Sequence, residues 1–409
     1  MEKLTAEYWL IIICCVVILS YFFSIISRYI RVPSVLLLLF GGVFIRWFSD
    51  LNNVYYNIPP KMVELLGVVG LIMIVLEAGL DLKLSRDKFK LIRDSFFSAL
   101  FIFVLSAGLV TAILNYWLDE KVINCLVYAI PLSIISSSIV IPSIHSLSVS
   151  KKEFLVYEAS FSDIIGILVF NYFTAEEVLT GRSILFFGSS IIVSVLLSLV
   201  LSLVLFLIMA KTKLNIKFFL IFSLLILIYT SGKMLHLPSL IIIIMFGMMI
   251  NNWELIRIKW IQRLFPIKQV EPIRELLHSI TAESSFLIRT FFFILFGYSI
   301  QLNFLRETDV LKVGGLVVTA LFIVRLLYLR FFVHTNVFPE SFFLPRGLIT
   351  IVLFYKIPAH MKLNAFDEGI LFFIILTTSI IMSIGMIFYK KKPEQILEES
   401  VFAERNDIL

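Results

Sequence analysis

Asp163 carries the clearest chemical consequence in this chain. It sits about ten residues from either end of a largely apolar stretch, Phe154 to Phe173. At about 1.5 Å per helical residue, a carboxylate there lies roughly 15 Å from each face of a bilayer, near the midplane. A charged side chain at that depth costs at least about 2.5–3.5 kcal/mol on insertion scales. Its neighbours are Glu158, Ala159, Ser160, Ser162 and Gly166. An intramembrane acid in small, polar surroundings is by default a site for an ion or a proton. The alternative is a structural carboxylate paired inside a helix bundle. Ala159 and Ser160 lie one turn before Asp163 and Gly166 one turn after, on nearly the same face. Ser160 can offer a ligand oxygen there, while Ala159 and Gly166 admit another backbone. Ser137 and Ser138, from the preceding span, and Ser162 beside the acid would complete a hard oxygen shell suited to Na⁺ or K⁺. A proton or a monovalent cation then neutralises the same group. Mutual exclusion at one carboxylate suffices for exchange, provided the bare charge crosses the membrane poorly.

The elements that must position this group are membrane helices. The chain is 60% hydrophobic and only 16% charged. Apolar runs near twenty residues recur along its length, so it is an all-α polytopic membrane protein. Spans are expected at about 8–27, 33–48, 62–82, 95–116, 122–147, 154–173, 184–210, 217–232, 238–251, 279–303, 311–333, 341–357 and 367–389. Residues 1–390 form one transmembrane domain on this reading, followed by a short cytoplasmic tail, 391–409. The first apolar run lacks a basic leader and has Arg28 and Arg31 beyond it. It reads as an anchor with its N-terminus outside, not a cleaved signal. Thirteen spans then leave the C-terminus in the cytoplasm. With residues near span ends counted in the adjoining loops, 22 of 35 Lys and Arg fall at cytoplasmic positions and 10 outside, leaving Arg289, Arg325 and Arg346 within spans. That bias fits the positive-inside rule. Between spans nine and ten, Trp253 to Glu275 mixes five basic residues with Ile, Trp, Leu and Phe. It reads as a helix on the membrane surface or a rigid linker. Cys14, Cys15 and Cys125 all fall in apolar segments and form no metal or disulfide pattern.

An internal echo accompanies these spans. Span two opens on Pro33 and Ser34, continues with an aliphatic run and reaches Phe40 and Gly41. Span nine opens on Pro238 and Ser239 and reaches Phe246 and Gly247. Span three ends near Glu77 and Gly79, and span ten near Phe296 and Gly297. Spans two and three thus echo nine and ten. The offset of seven spans is odd, so the halves, about 8–173 and 217–389, enter the membrane in opposite directions. Inverted repeats place ion sites at the midplane between the halves. Span five holds Pro131, Pro142 and Ser136, Ser137 and Ser138. That composition fits an interrupted helix, or a proline-kinked one whose serines bond back to their own carbonyls. Its counterpart, span twelve, has Pro345 and Gly347 flanking Arg346.

These residues resemble the monovalent cation:proton antiporter superfamily, the sodium/proton exchangers and their potassium-handling relatives. Glu77, Gly79 and Asp81 look like the acidic-Gly motif of the third span. Ser136, Ser137 and Ser138 look like the broken fifth span of the potassium-efflux branch. Glu158 and Asp163 look like the sixth-span motif, Gly297 the tenth-span end, Arg325 the eleventh-span arginine, and Arg346 with Gly347 the twelfth-span motif. The resemblance covers nearly the whole chain. It implies inverted six-helix repeats with two interrupted helices crossing near the midplane. It also implies a pH-homeostatic antiporter in the inner membrane of a bacterial cell, working as a homodimer in lipid. Ser162 stands where sodium-type members often carry Asn and electrogenic members a second Asp.

The resemblance further pairs Glu158 with Arg325; Glu158 otherwise reaches interfacial water. Glu158 points about 140° around the helix from Asp163. Glu77 either lines a cytoplasmic funnel or snorkels. Arg346 steadies the interrupted helices or the negative site, or else neutralises a helix C-terminus. No cofactor, nucleic acid or nucleotide-binding domain is expected, only transported Na⁺ or K⁺ and H⁺. Na⁺ is favoured and K⁺/H⁺ efflux is the alternative. A polytopic enzyme of the polysaccharide polymerase or acyltransferase type is the rival from another class. The longest outside loop, Ser49 to Lys61, is short for such an enzyme, and no nucleophile–His–acid set accompanies it. A channel fits a lone midplane acid beside broken helices less well than alternating access does.

Overall fold

The computed structural model describes residues 6–51, 60–174, 188–200, 203–204, 218–234, 239–255, 267–299, 307–333, 337–363, 366 and 368–389. All regular structure among the described residues is helical. In lipid only internal hydrogen bonding satisfies the backbone, which is why apolar runs of this length fold as helices. We label them α1 (Ala6–Ile30), α2 (Ser34–Leu51), α3 (Pro60–Asp81), α4 (Phe89–Leu118), α5 (Val122–Ser133), α6 (Ser137–Ser143), α7 (Val149–Phe173) and α8 (Gly188–Val200). There follow α9 (Phe218–Met234), α10 (Ser239–Asn251), α11 (Ile267–Ser299), α12 (Thr308–Tyr328), α13 (Leu348–Tyr355) and α14 (Glu368–Phe388).

Among the described residues, six stretches are long and apolar enough to cross a membrane by themselves: Ser34–Leu51, Phe89–Leu118, Val122–Ser143, Arg274–Ser299, Thr308–Phe332 and Glu368–Phe388. Much of expected span seven, residues 256–266 of the basic segment and the 391–409 tail lie outside the described residues. Where the basic segment is described, it is no separate surface helix. Trp253–Leu255 is a single 3-10 turn, and residues 267–275 are the opening turns of the 33-residue α11. The helix that carries the tenth span therefore begins about three turns before the apolar run.

Span five breaks at its triple serine. The chain leaves α5 at Ile134 (φ −74°, ψ 128°) and enters α6 from Ser136 (φ −78°, ψ 113°). Ser133 and Ser143 bond back to the carbonyls of Ala129 and Ile139, but Ser136, Ser137 and Ser138 do not. Span twelve breaks too. A 3-10 turn at Glu340–Phe342 gives way to non-helical chain through Gly347 before α13 begins.

The chain divides into two compact units, neither continuous in sequence. The first comprises Met1–Asn57, Lys90–Gly166 and Phe293–Leu409 and contains both broken helices. The second comprises Ile58–Phe89 and Ile167–Phe292. Each holds one glycine-to-glycine helix crossing. In the first, a Cβ on Gly42 of α2 would lie 3.0 Å from Cα of Gly297 in α11 and would collide with the Ile294 carbonyl oxygen. In the second, a Cβ on Gly79 of α3 would lie 2.6 Å from the Ile244 carbonyl oxygen and 3.1 Å from Cα of Gly247 in α10. The obstacle in both is backbone, which cannot swing aside. Gly79→Ala should therefore destabilise the protein by about 1–3 kcal/mol through overpacking. Gly108 of α4 has nothing within 4 Å of such a Cβ. Gly108→Ala should be neutral or stabilise by about 0.5–1 kcal/mol through helix propensity. Melting of the purified variants in detergent distinguishes them, and equal melting temperatures would refute the crossing argument.

Candidate functional site

Breaking a helix inside a membrane exposes backbone N–H groups that water cannot satisfy, so each must find a partner. In α5–α6 three consecutive donors do so from three directions. The Ile135 N–H donates to Ser162 Oγ at 2.9 Å, the Ser136 N–H to the Pro345 carbonyl at 3.0 Å, and the Ser137 N–H to Asp163 Oδ2 at 3.3 Å. The Ser137 hydroxyl also donates to Asp163 Oδ2. Ser162 and Asp163 of α7 thus seal the first break, and the second break supplies the remaining acceptor. Gly166 makes this approach feasible, because a Cβ there would strike the Ile134 side chain. Gly347 does the same for Ser136, whose Oγ and Cβ occupy the space a side chain would need.

Arg346 handles the opposite polarity. Its Nε donates to the Leu132 carbonyl at 2.5 Å, in the last turn of α5, and its NH1 donates to the Leu344 carbonyl at 3.0 Å. A guanidinium thus answers the carbonyl end of one half-helix, and a carboxylate answers the N–H end of the next. The two readings offered for Arg346, bracing the break and neutralising a helix C-terminus, describe one contact.

The two oxygens of Asp163 are not equivalent. Oδ2 accepts twice from Ser137, whereas Oδ1 is buried and meets no hydrogen-bonding atom among the described residues. The same holds for the hydroxyl of Ser160, one turn earlier on α7. Two unmatched hard oxygens on one helix face fit the donor preference of a small cation or a proton. Ser138 turns elsewhere and shares a 2.8 Å hydrogen bond with Ser136. Ser162 is engaged by the Ile135 amide. Of the expected oxygen shell, the structure thus brings Ser137 directly onto Asp163, and gives Ser138 and Ser162 other partners.

Glu158 and Arg325 form a bidentate ion pair, with NH2 at 2.7 Å from Oε2 and NH1 at 3.2 Å from Oε1. Both are fully buried. The Ser98 hydroxyl of α4 donates to Glu158 Oε1 at 2.6 Å, and Arg325 Nε donates to the Glu340 carbonyl at 2.7 Å. The pair's hydrogen bonding is thereby largely filled, as a buried charge pair requires. In the second unit Glu77 pairs with Arg289 of α11 at 3.3 Å. Asp81 is the last residue of α3 and meets His278 at 2.9 Å. Sequence reasoning missed Ser98, Arg289, His278, Lys151 and Glu340. A usable signal existed for Arg289. Three arginines lay within spans, and charge balance calls for an acid near each.

The chain belongs to the sodium/hydrogen exchanger transmembrane family, which matches residues 16–390. It is therefore a member of the monovalent cation:proton antiporter superfamily, a carrier and not an enzyme, and the ions it moves are substrates and not cofactors. Its fold is that of the sodium proton antiporter MjNhaP1 from Methanocaldococcus jannaschii. The structure of that protein at pH 8 aligns with a TM-score of 0.68 and 18% identity, over 94% of this chain and all of the other. A second structure, from an electron-microscopy map, gives 0.69 and 17% over 95% of this chain and all of the other. Comparison by sequence with curated proteins returns no match.

Proposed function

We propose that this chain exchanges one monovalent cation for one proton across the cell membrane, with Asp163 as the shared binding group. The observation that carries this reading is the split carboxylate: one oxygen held by Ser137, the other buried without a partner among the described residues. Oδ2 fixes the group in place, and Oδ1 alternates between H⁺ and the cation. Ser160 adds a hydroxyl ligand, and Ser137, whose amide and hydroxyl hold Oδ2, sets the carboxylate's angle. Ser138 and Ser162 shape the break that carries Ser137. Na⁺ is the favoured cation, by family membership, with K⁺ as the alternative given the fifth-span serines. Glu158, Arg325 and Arg346 hold the broken helices, and Glu77 acts with Arg289 outside the proton cycle.

The wider architecture belongs to the same reading. Residues 1–390 act as one domain of thirteen crossings, N-terminus outside and C-terminus cytoplasmic, in a bacterial inner membrane and as a homodimer. Two features support inverted repeats. The echoed segments cross reciprocally, α2 with α11 at Gly42 and Gly297, and α3 with α10 at Gly79 and Gly247. A symmetry that maps spans two and three onto nine and ten converts one crossing into the other. Both broken helices also meet, through Ser136 and Pro345.

The test is dissipation of a pH gradient in proteoliposomes on addition of Na⁺, Li⁺ or K⁺ in turn. Response to at least one is expected, and silence toward all three overturns the proposal. Stoichiometry is a separate prediction. Glu158 is committed to Arg325, and Glu77 is tied to Arg289. Among the described residues at the break in span five, Asp163 is the carboxylate left for the cycle, so turnover should be electroneutral. A transport current that reverses with the cation gradient, recorded on the same vesicles, would exclude one-for-one exchange.

A further inference from the structure

We infer that Glu340 and Lys151 are positioning residues for the ion site, acting through the second broken helix. Resting on the exchange reading above, this assigns a role to a charge pair that makes no contact with Asp163 itself. Lys151, in the first turn of α7, forms an ion pair with Glu340 and donates to the Phe338 carbonyl at 3.0 Å. Both side chains are mostly buried, at 15% and 9% exposure. At such exposure a charge pair is held in one geometry instead of sampling many. The backbone of Glu340 is held as well, since its carbonyl accepts from Arg325 Nε.

Five residues further on, Pro345 accepts the Ser136 N–H, and the next amide along, Ser137, holds Asp163. The contacts therefore close a ring. It runs from Lys151 on α7 to Glu340, along 340–345 to Pro345, across to Ser136 and Ser137, and back to α7 at Asp163. The two anchor points on α7 are twelve residues apart, about 18 Å of helix. Between Glu340 and Pro345 the chain makes one 3-10 turn, Glu340–Phe342, and is non-helical from Phe343 to Gly347. It is held at the near end by Lys151 and Arg325 on Glu340, and at the far end by Arg346, whose amide donates to Thr378 and whose guanidinium donates to the Leu132 and Leu344 carbonyls. Freeing the Lys151 end lets Pro345 drift, and with it the Ser136 and Ser137 amides that orient the carboxylate. The Glu158–Arg325 pair stays intact, because its own bonds do not pass through Lys151.

Lys151→Met and Glu340→Gln test this, with Lys151→Arg and the charge-swapped Lys151→Glu/Glu340→Lys double variant beside the parent. Apparent KM for the cation and kcat are read from pH-gradient dissipation in proteoliposomes, and Tm is read in detergent. Each single neutral variant should raise KM about ten-fold, the lower end of the effect of losing an outer partner of an ion ligand, with a smaller change in kcat. Lys151→Arg and the charge swap should return KM to near the parent's. A purely structural pair would lower Tm and leave KM unchanged, and that result overturns the inference. So does a swap whose KM stays as high as the neutral variants'. If a neutral single variant fails to purify, Glu340→Asp, which keeps the charge and shortens its reach to Lys151, takes its place: a raised KM is expected, and an unchanged KM overturns the inference. A parent silent toward Na⁺, Li⁺ and K⁺ overturns the exchange reading itself. An active parent whose neutral variants keep KM overturns only the positioning role.

Discussion

Asp163→Asn is expected to abolish cation-driven proton flux while the protein remains folded and inserted. The argument follows from the two unlike oxygens. An amide oxygen at the Oδ2 position can still accept from the Ser137 amide and hydroxyl, so the seal on the break survives. What Asn cannot do is change charge at the other atom. It neither takes up a proton near neutral pH nor supplies the negative charge that offsets the desolvation of a cation. Loss of flux with an unchanged melting temperature is therefore the expected pair of observations. Residual flux above protein-free vesicles would show that another group carries the proton.

The second large effect is on stability. Removing one member of the Glu158–Arg325 pair leaves a buried charge without its partner, and the expected cost is about 3–5 kcal/mol. Arg325→Ala should be the worse of the two, because it strips Glu158 of two donors and the Glu340 carbonyl of one. Glu158→Gln keeps an acceptor for Ser98 and should fall at the low end. The exchanged pair, Glu158→Arg with Arg325→Glu, should recover part of the loss and not all, since Ser98 and the Glu340 carbonyl remain set for the native polarity. Thermal melting in detergent measures each. Single variants as stable as the parent would mean that the pair is solvated or absent.

How far the sequence discloses this site depends on which rule each residue obeys. Asp163 and Ser160 are legible because they lie on a continuous helix, where spacing gives the face. The break in span five is legible because two prolines and three serines inside one apolar run violate helix preference together. The fates of the three serines are not legible. Once the chain leaves helical geometry at Ile134, periodicity no longer says where a side chain points. Ser137 reaches the acid, and Ser138 turns to Ser136. Ser162 was expected beside the ion, yet its hydroxyl is consumed by an amide that only the break exposes. Lys151 with Glu340 is harder still, because its members lie 189 residues apart and neither sits at a depth where charge is conspicuous.

The reciprocal glycine crossings carry a consequence for biogenesis. The α2 surface around Gly42 is completed by α11, and neighbouring Ser49 meets Tyr298 across 249 residues of chain. The α3 surface around Gly79 is completed by α10, where Asn252 grips the Leu84 amide across 168 residues. Neither early helix has its partner while the ribosome is still making the first half. Helices α2 and α3 enter the bilayer with bare backbone grooves facing lipid and wait for most of translation before those grooves close. Contacts this distant in sequence form late and leave the nascent chain exposed to the wrong neighbours. A newly inserted amino-terminal half is thus a natural client for insertase chaperones and a vulnerable target for membrane proteases, and it becomes resistant to them only when α11 arrives.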